Sequence, residues 1–145
     1  MRFMIIIKST PELEKKDAVP DPQFMADMGK YNEELIKAGI VLAMDGLHPS
    51  SKGARVKFSG ESCTVVDGPF TEAKELVAGF WIWKVKSLEE AIEWVKRCPH
   101  PHDVDSEIEI RQVGEMEDFA PILSEEEIQY KIAKRAELPN QTANK

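Results

Sequence analysis

The chain lacks most of what would announce a chemistry. It has two cysteines, Cys63 and Cys98, and no CxxC pair, so neither a zinc ribbon nor a thioredoxin-type site is supported. Its most apolar N-terminal stretch, MRFMIIIKST, is too short for a signal core and far too short to cross a bilayer. Basic residues are in deficit: 19 Lys and Arg stand against 26 Asp and Glu, a net charge of −7. With no cationic excess to displace counterions, a nucleic-acid backbone is excluded as the expected partner, and so is an anionic membrane. GxGxxG, Walker, GxSxG and HExxH motifs are all missing, so nothing points to a nucleotide, a serine hydrolase or a zinc protease. No metal or other cofactor is expected. Reduced thiols without an export signal make the cytoplasm the expected compartment.

What is present suits one compact domain with a tail. Hydrophobic residues make up 42% of the 145, enough for a core. Residues 3–7, FMIII, are apolar throughout and predict a strand covered on both faces. Asp21-Pro22 reads as a cap and first turn, apolar residues recur through Phe24, Met25, Met28, Leu35 and Ile36, and Gly39 stands at the stop, predicting a helix over 22–38. Residues 40–44, IVLAM, predict a second buried strand. ARVKFS (54–59) and SCTVVD (62–67) flank Gly60-Glu61 as a hairpin, with Ala54, Val56 and Phe58 on one face. GFWIWKV (79–85) is an aromatic strand. Ser87 and Glu90 open a helix as a capping box, Pro99 stops it, and EIEIRQV (107–113) alternates as a last strand.

The order β-α-β, hairpin, β-α-β describes a ferredoxin-like α+β sandwich. Both helices then cover one sheet face. Trp81, Trp83 and Val85 share a face of their strand, and the expectation is that they lie on the bare side. A second copy packed sheet to sheet would cover it, giving a homodimer. Ser124 and Glu127 form another capping box, with a staple between Leu123 and Ile128, at the start of an extra C-terminal helix. The expected boundaries are a domain over 1–114, a helical extension over 115–138 and a disordered tail over 139–145.

Three stretches offer candidate chemistry. His100-Pro-His102-Asp103 reads as a rigid loop between prolines rather than a metal cluster, because two histidines one residue apart are a weak ligand spacing. Asp45-Gly-Leu-His48 follows a strand, so His48 could exchange a proton with Asp45 three residues away to orient it; the competing structural account is an ordinary turn. DGPFTEAKE (67–75) is the third. Asp67 ends a strand, Gly68 permits a positive φ, Pro69 fixes the corner, Phe70 turns inward, and Thr71 caps a short turn holding Glu72, Lys74 and Glu75. From composition alone this is a wide connection with solvated charges; the rigid corner and aromatic anchor are what argue for a held site.

DGPFTEAKE, with GFWIWKVKSLEEAIEWVKRCP, EIEIRQV and DGLHPSSKGARVKF, resembles the DGPF branch of the YCII-related family over roughly residues 1–114. The resemblance implies a ferredoxin-like unit that dimerises into an α/β barrel. It also implies acid–base chemistry by a His and an Asp facing a cleft. In such relatives the His is on the first helix; here that helix offers Met28, Tyr31 and Asn32, which leaves His48, with Asp45, for the catalytic role. Asp67, Glu72 and Lys74 are then expected to bind substrate. Two functions fit: a metal-independent lyase or isomerase acting on a small molecule, or a non-catalytic sensor or regulatory partner, as the frequent association of DGPF genes with extracytoplasmic-function sigma factors implies.

Overall fold

A computed structural model describes residues 1–139 apart from Lys16 and Ala18; of the tail expected to be disordered over 139–145, all but Pro139 lies outside the described residues. The chain divides into two units, Met1–Gln112 and Val113–Lys145. In the first, β1 (Arg2–Lys8), α1 (Pro22–Lys37), β2 (Val41–Gly46), β3 (Ala54–Ser59), β4 (Ser62–Asp67), β5 (Val77–Lys84), α2 (Leu88–Lys96) and β6 (Ile108–Gln112) follow in order. The second contains α3 (Glu125–Ala136).

The main sheet has the order β2-β5-β1-β6 and is antiparallel throughout. β5 therefore sits between β1 and β2, and β1 between β5 and β6. These are the two interleaved βαβ units of a ferredoxin-like α+β fold. No barrel closes among the described residues. β3 and β4 form a separate two-stranded sheet.

Local chemistry sets the helix ends. The Asp21 carboxylate accepts the Gln23 N–H at 3.1 Å, and Gly39 takes φ +73° after the last turn of α1. At α2 the expected capping box is only half formed. Ser87 Oγ accepts the Glu90 N–H at 3.1 Å, but the Glu90 carboxylate reaches past Ser87 to the Lys86 N–H at 2.8 Å. The box at α3 is complete, with Ser124 and Glu127 bonding reciprocally at 3.1 Å.

One face of the sheet packs on α1 and α2. Phe3 and Ile5 of β1, Trp81 and Trp83 of β5, and the following Val85 meet Tyr31, Leu35 and Ala91 there. This corrects the expectation that Trp81, Trp83 and Val85 lie on the bare side. Strand alternation says which residues share a face, not which face meets the helices; the apolar stripes of α1 and α2 take the larger set. The Trp81 Nε1–H donates to Asn32 Oδ1 at 2.9 Å, and its ring meets Tyr31 edge-on with centroids 5.9 Å apart. Trp83 is wholly buried, and its indole N–H finds no acceptor among the described residues.

The other face carries Met4, Ile6, Phe80 and Ile82, paired as Met4 with Ile82 and Ile6 with Phe80. All four are half-buried rather than sealed, so β1 is not covered equally on both faces. β2 also falls short of a buried strand: Val41 to Ala43 are half-buried, and Met44 onward is exposed.

Candidate functional site

β1 and β2 run in the same direction and β5 runs against them. The loop after β1, the loop after β2 and the segment entering β5 therefore meet at one end of the sheet. Ser9 N–H donates to the Leu76 carbonyl and Leu47 N–H to the Ala78 carbonyl, both at 2.8 Å, which extends the sheet pairing into these loops.

Glu14 ties them together. Its carboxylate accepts the Ser50 N–H at 3.2 and 3.3 Å and the Ser50 hydroxyl. Ser9, itself buried, donates its hydroxyl to the same carboxylate at 3.5 Å. Ser50 Oγ in turn accepts the Phe70 N–H at 3.0 Å. Thus one carboxylate from the first loop holds a serine of the second, and that serine holds the aromatic of DGPF. A carboxylate bonded by several donors at a partly buried place is a strong tether, because charge-assisted hydrogen bonds exceed neutral ones.

The corner itself departs from the sequence expectation at two points. Gly68 does not adopt a positive φ. It is needed because a Cβ there would lie 1.7 Å from the Ser50 carbonyl oxygen, a backbone atom with nowhere to go. Thr71 does not cap the next turn; Glu72 stands at the head of a short 3-10 turn, Ala73–Glu75, with no side-chain cap bond. Phe70 is half-buried, and Arg55 of β3 lies over its ring, 3.8 Å from the centroid.

The expected site residues all lie in these loops or at their edges. Asp45, in β2, pairs with Phe80; His48 is in the loop after β2; Asp67 ends β4 opposite Ala54; Glu72 and Lys74 are in the turn before β5. All five are exposed. The structure brings them to one end of the sheet but forms no hydrogen bond or ion pair between their side chains. Elsewhere, His100 and His102 stack edge-on with centroids 5.0 Å apart, and no group of three metal-binding side chains occurs among the described residues. Cys98 is buried, and burial pushes its thiol up to about 11, so it holds its proton and carries no thiolate chemistry. Burial first, then Cys98, likewise raises the Tyr31 phenol above its ordinary value; its hydroxyl donates to the Trp94 carbonyl at 2.6 Å. A shallow depression lined by Glu90, Glu93, Trp94, Lys96 and Arg97 runs along α2; its walls come from one helix and its charges are mixed, so it gathers no convergent chemistry.

Glu14, Ser50 and Arg55 are what a reading of the sequence misses. Glu14 looks like one more charge in a polar loop, and Ser50 and Arg55 like ordinary loop and hairpin residues. Only the fold brings them to Phe70.

A family model described as "YCII-related domain" matches residues 1–117. An uncharacterized protein of Rhizobium meliloti (strain 1021) is 28% identical over 94 residues, covering 65% of this chain and 76% of the relative.

Proposed function

This chain belongs to the YCII-related family, and we propose that, as a member of its DGPF branch, it binds a small molecule at the loop-bearing end of the sheet. In this proposal His48 is the acid–base group, Asp45 shares or orients its proton, and Asp67, Glu72 and Lys74 meet the ligand. The reaction class is a metal-independent elimination or isomerisation, which needs only a proton taken and returned. The observation that carries the proposal is the Glu14–Ser50–Phe70 tether, which fixes three loops in advance of any ligand and so lowers the ordering cost of binding. His48→Gln should change stability by less than about 1 kcal/mol, since His48 is exposed and serves no packing role. A thermal-shift screen should find a ligand that stabilises the native chain by about 2.7 kcal/mol at 100 times its Kd and stabilises His48→Gln far less. A urea melt in which His48→Gln costs several kcal/mol would move His48 out of the site.

A second function has one observation in its favour. His48 is exposed to solvent. That suits a sensor or regulatory module, for instance one serving an extracytoplasmic-function sigma factor, better than an enclosed reaction. Ligands that stabilise native protein and His48→Gln equally would favour it.

In either case the proposed assembly is a cytoplasmic homodimer in which two sheets face each other and complete an α/β barrel. The support is now Met4, Ile6, Phe80 and Ile82 rather than the tryptophans: they form an apolar face without a helix of their own unit, the kind of patch that marks an interface. Light scattering that returns the mass of a single chain would remove the dimer.

A further inference from the structure

The tether does not stop at Phe70. Arg55, the second residue of β3, places its guanidinium carbon 3.8 Å from the Phe70 ring centroid. A ring at that distance holds the guanidinium plane by cation–π attraction and stacking. Phe70 is held by Ser50, and Ser50 by Glu14. A cation on an exposed hairpin is thereby fixed in direction, when an exposed arginine would ordinarily sample many rotamers. Its N–H donors remain open. No carboxylate pairs with Arg55 among the described residues, in a chain with seven more acidic than basic residues. The nearest acid in strand register, Asp67, pairs with Ala54, whereas Arg55 pairs with Val66, so alternation turns Asp67 to the opposite face.

We propose that Arg55, backed by Phe70, is the anion-recognition group of the loop-end site and that the ligand is a small organic acid bound through its carboxylate. This deepens the small-molecule function proposed above and rests on it. The guanidinium fork matches a planar carboxylate with two parallel N–H···O bonds. A carboxylate is favoured over a phosphate because the loop end sets acidic residues beside its cations, Arg55 and Lys74. Glu72 stands in the same loop end, and a dianion would meet its repulsion twice over; Asp67, on the opposite face from Arg55, does not meet the anionic group held there. Phosphate sites also commonly use helix N-termini or glycine-rich nests, and the segment here is a 3-10 turn of three residues.

The test is an NMR titration of the full chain with sodium benzoate, with inorganic phosphate as a second probe, both at matched ionic strength. The Arg55 Nε–H, the Phe70 N–H and the His48 ring are followed. Benzoate should give saturable shifts at Arg55 and Phe70. Arg55→Gln should weaken its binding at least tenfold. Arg55→Lys should weaken it too, because the charge is kept while the planar fork is lost. Both variants change an exposed side chain, and retained amide dispersion verifies that they are folded. No saturable benzoate shift, equal binding by Arg55→Gln, or tighter Arg55-dependent binding of phosphate than of benzoate each overturns the proposal. The outcomes also separate the two levels of the account. Benzoate saturating Arg55 with a silent His48 retains this inference and removes His48 from the site. A screening hit that shifts His48 and binds Arg55→Gln with undiminished affinity retains the site and removes the carboxylate.

Discussion

Trp83→Glu is expected to leave no folded protein. Trp83 is fully buried between the sheet and the two helices. Truncating a core aromatic to alanine costs about 3–5 kcal/mol. Glutamate adds to that loss a carboxylate with no partner, which must either stay charged in the core or take up a proton at further cost. The sum is comparable to the whole stability of an ordinary domain, about 5–15 kcal/mol. Far-UV circular dichroism and a urea melt should show an unfolded chain. Ile82→Glu, one residue earlier on the opposite face, is the contrast: it should stay folded and lose the proposed dimer, read as a halved mass in light scattering. A folded, monomeric Trp83→Glu would mean that the tryptophans do face a partner and that the helix-facing assignment is wrong.

The fold was legible because its signals are local. Asp21-Pro22 and Gly39 bracket α1, Gly60 marks the hairpin turn with φ +60°, and Pro99 follows α2. Element order then leaves few topologies. What was not legible depends on the third dimension. A period of two groups Trp81 with Trp83 and Phe80 with Ile82 but assigns neither pair to the helices. The site shows the same division. The DGPF corner was visible as a rigid turn, yet its glycine is required by the Ser50 carbonyl, and its phenylalanine serves Arg55. Those contacts join residues 18 and 15 positions apart, and the stretches around Ser50 and Arg55 carry no signal of their own.

Gly68→Ala is the second large expected effect. A Cβ at 1.7 Å from a carbonyl oxygen cannot be accommodated by a side-chain rotation, because the atom it meets is backbone. Either the Ser50 turn or the corner must move. The movement breaks the Phe70 N–H to Ser50 Oγ bond and the Gly68 N–H to Gly53 carbonyl bond of 3.0 Å. Overpacking alone costs about 1–3 kcal/mol, and each lost hydrogen bond adds about 1 kcal/mol. We expect a loss of about 3 kcal/mol or more in a urea melt. A change below about 0.5 kcal/mol would mean that the corner and the Ser50 turn are not in contact in solution.

The Glu14–Ser50 pair holds the DGPF aromatic, and through it Arg55, in place. A double-mutant cycle tests it most directly: Ser50→Ala, Phe70→Ala and the double variant, each measured by urea denaturation. Residues joined in one network couple by about 0.5–3 kcal/mol, whereas independent sites add to within about 0.3–0.5 kcal/mol. The double variant should be more stable than the sum of the single losses predicts by at least about 0.5 kcal/mol, the lower edge of the coupled range. Simple additivity would contradict it: Phe70 would then keep its place without Ser50, and the loop end would be a set of separate turns.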